Sequence, residues 1–244
     1  MLVVTMTSWP KRIHNVIKVC DSIFRNTVQP DRVYLNLSVE EFPNKTKDLP
    51  VDLTLFISVN QKLYINWVDG PNTRSFKKIV PILQYLNSDD LIISADDDFT
   101  FPLDLIESRL TDFRIYNCQH PVTPNRYNYV NKSAAKLNFY MSPTSIFTKR
   151  MLACWETWYT PELIELNEDD RVNTYIMYSN GYSFKYSTKY TIHELISRSF
   201  NISNNDKVAS TKVAKRDTPR TERLLNEKLI SIKFNSNSEN STKT

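Results

Sequence analysis

Three aspartates in a row, Asp96-Asp97-Asp98, stand directly after the apolar run Leu91-Ile92-Ile93-Ser94-Ala95. Adjacent carboxylates repel one another unless a cation or solvent compensates, and oxygen ligands of this kind suit Mg²⁺ or Mn²⁺ held jointly by protein and phosphate oxygens. In extended geometry Asp96 and Asp98 face one side and Asp97 the other, so the first and third are spaced to share a metal and diphosphate site. A solvated acidic turn is the competing explanation, because acidic residues also collect where strands end. An EF-hand is not expected, since its required glycine would fall on Phe101.

A second acidic group, Glu168-Asp169-Asp170, follows Asn167 and opens a stretch with Val172 and Ile176 that runs to Gly181. Two chemistries fit it. Asn167 is a good helix N-cap, and carboxylates in a first helical turn interact favourably with the helix dipole by about 0.3–1 kcal/mol each. Alternatively, Asp169 and Asp170 receive an acceptor hydroxyl or its proton, if they face the same cleft as the triplet. Basic residues stand between: Arg74, Lys77 and Lys78 follow the turn Asp69-Gly70-Pro71, and the two lysines are not both expected to be buried in one helix, so that one is placed to meet a departing diphosphate. Exposed lysines on a helix need no such role.

The elements that must position these groups alternate. Leu2 to Met6 reads as a buried strand, and Ile13, Val16, Ile17, Cys20, Ile23 and Phe24 then recur at helical spacing. Val33 to Leu37 follows the turn Gln29-Pro30-Asp31 as a second strand. Leu53 to Ile57 and Leu63 to Trp67 predict two more, Ile79 to Leu86 a helix, and Leu91 to Ala95 a strand apolar on both faces. This order predicts an α/β fold with a mainly parallel central sheet flanked by helices. Ligands of such sheets sit beyond the carboxyl ends of the strands, which is where the triplet falls.

Composition bounds the rest. The chain has 244 residues, 41% of them hydrophobic, enough for one substantial core. It has two glycines, Gly70 and Gly181, which excludes a Gly-rich phosphate loop of the Rossmann or Walker kind. Cys20, Cys118 and Cys154 are odd in number and widely spaced, as expected of reduced thiols. No apolar run reaches the roughly 18 residues of a membrane span and no signal-peptide layout opens the chain, so a cytoplasmic protein is expected. Residues 1–205 carry 22 basic and 22 acidic residues, whereas 206–233 carry eight and four. The balanced part predicts no nucleic-acid partner. We therefore divide the chain into a domain at 1–200 and a basic, partly helical tail at 201–244. Lys207, Lys212, Lys215 and Arg216 precede Pro219, after which Leu224, Leu225, Leu229, Ile230 and Ile232 alternate with charges. Such a segment either lies on the anionic cytoplasmic face of a membrane or docks on the domain through its leucines.

The segments Thr7-Ser8-Trp9-Pro10-Lys11-Arg12-Ile13, Pro30-Asp31-Arg32-Val33-Tyr34-Leu35-Asn36-Leu37-Ser38 with Glu40-Glu41-Phe42-Pro43, and Ser75-Phe76-Lys77-Lys78-Ile79-Val80-Pro81 resemble a family of bacterial glycosyltransferase-A-type enzymes associated with capsule and lipopolysaccharide synthesis. Asp96-Asp97-Asp98-Phe99 looks like that family's D-x-D motif and Glu168-Asp169-Asp170 like its downstream acidic pair. The resemblance implies a nucleotide-diphosphosugar transferase fold and a nucleotide-sugar donor, UDP-linked in the first instance, held through Mn²⁺ or Mg²⁺. It implies Asp96 and Asp98 as metal-binding carboxylates and Thr7, Ser8, Arg12 and Asp69 as lining the nucleotide pocket. Asp169 or Asp170 would face a glycan or lipid-linked glycan acceptor. Enzymes of this type often take a third metal ligand near the end of the domain, a place only His193 fills. Trp155, Trp158 and Tyr159 either stack on an acceptor sugar or belong to the core.

The expected activity is sugar transfer from a nucleotide diphosphate donor to a hydroxyl of a bacterial surface glycan, with inversion or retention left open. Its rivals are a metal-dependent nucleotidyl- or phosphoryl-transferase and a non-catalytic nucleotide- or glycan-binding protein of the same fold.

Overall fold

A computed structural model describes residues 1–125, 141–199 and 218–241. The tail residues Lys207, Lys212, Lys215 and Arg216 lie outside the described residues, as does the expected boundary at 200/201. Seven strands form one sheet in the order β3-β2-β1-β4-β6-β5-β7: β1 (Leu2–Thr7), β2 (Arg32–Ser38), β3 (Leu63–Val68), β4 (Leu91–Ser94), β5 (Val122–Asn125), β6 (Ile146–Thr148) and β7 (Lys185–Thr191). The pairs β1/β2, β2/β3, β1/β4 and β5/β7 are parallel, while β6 runs antiparallel to both neighbours. The expected mainly parallel α/β architecture is the one found.

The central strands are apolar because both faces are covered. Val3, Val4, Met6, Val33, Leu35, Leu37, Ile92 and Ile93 are all fully buried. Helix α1 (Val16–Phe24) adds Val16, Val19, Cys20 and Ile23 to that core, the period read from the sequence. Burial pushes the Cys20 thiol up to about 12, so it stays protonated and inert in the core.

Two expected elements differ. The apolar run around Leu53 is not a strand but helix α2 (Val51–Val59). A short run of apolar residues carries both periods, and tertiary context decided between them. Pro50 stands just before the first turn and Asp52 lies within it, while Leu53 alone is fully buried and Val51, Leu55 and Val59 face outward. The helix expected over Ile79 to Leu86 is instead two 3₁₀ segments, Arg74–Lys78 and Val80–Tyr85, broken at Ile79. Pro81 sits in the first turn of the second and cannot donate to a continuous helix running through it.

Four further helices complete the description: α3 (Leu105–Ile115), α4 (Pro161–Glu165), α5 (Asp169–Ser179) and α6 (Ile192–Ile196). A seventh, α7 (Thr218–Ser241), belongs to the tail and packs on α5. Strand connection reverses at β1: the chain proceeds outward to β2 and β3, then returns to β4 on the other side. That reversal opens a crevice above the carboxyl ends of β1 and β4.

Candidate active site

A cleft of about 350 Å³ lies at that crevice. Its wall is made by the loop after β1 (Thr7, Ser8, Trp9, Arg12), the turn after β4 (Asp96, Asp97, Asp98), the 3₁₀ segment (Arg74, Ser75, Lys77, Lys78) and the start of α5 (Asn167, Asp169, Asp170), with Glu41 and Asn72 between them. Register explains the first two. Thr5 pairs with Ser94, and Ala95 N–H donates to the Thr5 carbonyl at 2.8 Å, so the chain leaves β4 beside the end of β1. Tertiary pairing alone sets that adjacency.

Asp97 is buried at 6% exposure and binds inward. Ser8 Oγ donates to its Oδ2 at 2.6 Å, and the Arg12 guanidinium lies 2.9 Å from its other oxygen. Burial pushes the Asp97 carboxyl up to about 7, against the pull of Arg12 and Ser8. The same guanidinium reaches Asp98 at 2.5 Å. Burial works against the Arg12 charge, but Asp97 and Asp98 outweigh it and raise its pKa. Asp96 and Asp98 are half-buried and, like the buried Asp97, lie on the cleft wall. The alternation expected from extended geometry is not kept in this turn, since one Arg12 nitrogen meets both Asp97 and Asp98.

Lys78 is buried, its ammonium 2.6 Å from Asp96 and 3.5 Å from Asp169. Burial disfavours that charge, yet Asp169, Asp96 and Asp170 more than compensate and hold its pKa well above the ordinary lysine value. Its neighbour Lys77 is equally buried and turns the other way, 2.5 Å from both Glu41 and Asn72 Oδ1. Both lysines are thus inside the protein, which corrects the expectation that one helix could not bury the two: the segment is 3₁₀, and each ammonium has a carboxylate partner. The backbone of Lys78 is fixed from below: its carbonyl accepts from Thr5 Oγ1 and from Asn36 Nδ2.

Asn167 does not cap α5. It adopts the left-handed conformation at φ 52°, and its Oδ1 accepts from Ser75 N–H at 3.2 Å and Ser75 Oγ at 2.8 Å. Glu168 occupies the N-cap position, with no side-chain capping bond. Asparagine tolerates that conformation well, so the residue ties α5 to the 3₁₀ segment rather than to its own helix. Asp169 is buried and Asp170 half-buried at the cleft.

The tail helix reaches the same corner from outside. Thr221 Oγ1 donates to Glu168 Oε1 at 3.1 Å, and Arg171 bridges Glu168 and Glu222. Leu225 and Leu229 are buried against the domain, and Lys228 lies 5.9 Å over the Trp158 ring. Of the two roles open to the tail, the described part takes the docked one; no helix among the described residues is long and apolar enough to cross a membrane.

Of the expected site residues, Thr7, Ser8, Arg12, Arg74, Lys77, Lys78, Asp96, Asp98, Asp169 and Asp170 line one cleft. Asp69 and His193 are not among the residues that line it. Asp69 is exposed at the end of β3, two strands from β1 and therefore about 10 Å away laterally. His193 is exposed on α6, whose start is fixed by the Thr191 and Glu194 capping box, and it does not line the cleft. Trp158 is core at 1% exposure, and Tyr159 packs edge-on against Phe76 at 5.2 Å. Trp9, Glu41, Asn72, Ser75, Asp97 and Asn167 complete the wall without having been expected there. Trp9 and Glu41 sit inside motifs already singled out; Asn72 gave no signal beyond its turn.

Asp96 and Asp98 offer hard oxygen donors on the open side, and Mg²⁺ or Mn²⁺ is commonly held by one or two carboxylates with substrate phosphates and water. The donor set fits an ion shared with a diphosphate. It does not fit an all-protein cage, because no group of three metal-ligating side chains occurs among the described residues.

No protein-family model matches the chain, and no curated protein matches it in sequence. Solved structures do share its fold. The mannosyltransferase PcManGT from Pyrobaculum calidifontis, solved with GDP-Man and Mn²⁺, aligns with a TM-score of 0.55 at 13% identity over 75% of this chain and 53% of its own. S. aureus TarS 1-349, solved with UDP-GlcNAc, aligns at 0.51 and 13% identity over 78% and 56%. The 2-C-methyl-D-erythritol 4-phosphate cytidylyltransferase of Francisella tularensis aligns at 0.52 and 14% identity over 78% and 92%. The chain thus spans about half of PcManGT and of the TarS 1-349 fragment, and most of the cytidylyltransferase. The likeness establishes a fold common to nucleotide-sugar glycosyltransferases and a cytidylyltransferase.

Proposed function

We propose that the protein is a metal-dependent glycosyltransferase that moves a sugar from a nucleotide diphosphate donor to a hydroxyl of a bacterial surface glycan. One observation carries the reading: carboxylates from two elements some 70 residues apart, Asp96 and Asp98 after β4 and Asp169 and Asp170 at the start of α5, line one cleft together with four basic side chains. The glycosyltransferase structures that share the fold, one holding GDP-Man with Mn²⁺ and one UDP-GlcNAc, support the substrate class.

In this reading Thr7, Ser8, Trp9 and Arg12 bind the nucleotide, and Asp96 and Asp98 hold Mn²⁺ or Mg²⁺. When bound, that ion neutralises charge on the departing diphosphate. Lys78 and Arg74 add positive charge on the same side. Asp170, the half-buried member of its pair, orients the acceptor hydroxyl or takes its proton. Buried Asp169 stays with Lys78. The acceptor is a glycan, free or lipid-linked.

The nucleotidyl-transferase alternative keeps one specific support, the coverage of 92% of the cytidylyltransferase. A mass-spectrometric screen of nucleotide sugars with Mn²⁺, run beside nucleoside triphosphates with sugar phosphates, separates the two. Consumption of one nucleotide sugar, abolished by chelation, is the expected result. Pyrophosphate release from a triphosphate with every nucleotide sugar untouched would replace this reading by the other.

A further inference from the structure

We propose that Lys78 is an exchangeable counter-cation: its ammonium competes with a divalent cation for Asp96, and Asp169 is the carboxylate that takes the ammonium when the metal prevails. The inference rests on the reading of Asp96 as a metal-side carboxylate and goes beyond it by assigning the exchange.

The geometry is that of a two-position switch on a fixed base. The Lys78 carbonyl is pinned by Thr5 Oγ1 and Asn36 Nδ2, two buried side chains of β1 and β2, so the flexible four-carbon stem is what remains free to move. At its end the ammonium sits 2.6 Å from Asp96 Oδ1 and 3.5 Å from Asp169 Oδ2. The two seats differ. The Asp96 side chain is 33% exposed on the cleft wall, where an ion shared with phosphate can reach it; that of Asp169 is 7% exposed. Asp169 Oδ2, the oxygen facing the ammonium, is buried and accepts no hydrogen bond. A buried acceptor in that state is costly unless a cation approaches it. Transfer of the ammonium by about one ångström would satisfy it. Arg12 has no comparable second seat, because its guanidinium already lies between Asp97 and Asp98, both in the same turn. One lysine therefore touches the carboxylates on both sides of the cleft. Occupation of Asp96 by metal would bring a positive charge fully onto Asp169, beside Asp170.

The test reads cation binding alone, with no nucleotide, acceptor or turnover. Mn²⁺ is titrated into the full chain and free Mn²⁺ is counted by electron paramagnetic resonance, for wild type, Lys78→Gln, Asp169→Asn and the double variant. Removing a competing unit charge at this distance is expected to tighten Mn²⁺ binding at least about tenfold in Lys78→Gln. Asp169→Asn removes the second seat and is expected to weaken Mn²⁺ binding about threefold or more. In the Lys78→Gln background the same Asp169→Asn change is expected to have an effect below about twofold, since it then acts on nothing. Equal or weaker Mn²⁺ binding in Lys78→Gln overturns the proposal, as do an Asp169→Asn effect of the same size in both backgrounds and the absence of Mn²⁺ binding throughout. If Lys78→Gln does not fold, Asp169→Asn alone decides, and unchanged Mn²⁺ affinity sinks the exchange. Failure to find a sugar donor leaves these readouts intact, so the proposal and the assigned reaction fall separately.

Discussion

Ser8 Oγ donates a 2.6 Å hydrogen bond to Asp97 Oδ2, and through it the loop after β1 grips the turn after β4. The middle aspartate of the triplet thereby ties the two loops together on the cleft wall that it shares with its neighbours. Asp96→Asn and Asp98→Asn are expected to abolish Mn²⁺-dependent nucleotide binding in calorimetry while the fold persists, because each removes a negative charge from a crowded cluster. Asp97→Asn keeps an acceptor for Ser8 and is expected to bind nucleotide within about threefold of wild type. Asp97→Ala strands both Ser8 and part of Arg12, and a loss of about 1–3 kcal/mol in denaturant unfolding is expected.

Asp170→Asn is expected to lower kcat at least about tenfold with nucleotide affinity unchanged, the behaviour of a group that acts on the acceptor or only in the transition state. Asp170 lies in the first turn of a helix without a side-chain capping bond, so a purely helical role predicts a different result. Normal turnover with a stability loss of under about 1 kcal/mol would assign it to the helix dipole alone.

Removal of α7 is expected to destabilise the domain rather than release it from a surface. Truncation before Thr218 exposes the α5 side of the core and deletes the fully buried Leu225 and Thr221. Leu225→Asp places a charge there and is expected to cost several kcal/mol, seen as a large fall in Tm. Thr221→Val removes the donor to Glu168 and is expected to cost about 1–3 kcal/mol, with Thr221→Ser restoring most of it. A truncated chain that melts with wild type and loses only affinity for anionic vesicles would return the tail to the membrane role.

Away from the cleft lining, Arg109 is fully buried and bonds to Thr144 and Ser187, while Ser187 and Thr188 bond to Asp112. Burial lowers the Arg109 pKa to about 10, with Asp112 opposing the shift. The network ties α3 to β7 and does not touch the cleft. Arg109→Met is expected to cost about 3–5 kcal/mol, because Asp112 and the Thr144 carbonyl lose a buried partner. Nucleotide affinity in the fraction that folds is expected to be unchanged, which a binding titration below Tm checks.

The order of the elements, the parallel central strands and the position of the acidic triplet were legible in the sequence, because each depends on local pattern. A strand buried on both faces reads as unbroken apolar residues, as in Leu91 to Ala95, and α1 shows its period in Val16, Val19, Cys20 and Ile23. The run at Leu53 was not legible, since a short apolar segment fits a strand and a helix equally until its neighbours are fixed. The burial of both Lys77 and Lys78 was not legible: adjacent residues in a 3₁₀ segment diverge, and only the surrounding fold brings Glu41 to one and Asp96 to the other. Asp69 and His193 have the right chemistry, yet strand order places the first two strands from the crevice and the α6 capping box holds the second on an exposed helix outside it. Asn167 carries the signature of an N-cap, but its bond to Ser75 joins residues 92 apart. Charge, polarity and period are properties of a residue and its near neighbours and can be read along the chain. Which carboxylate faces which cation depends on distances across the fold, and those exist only once β1 and β4 lie side by side.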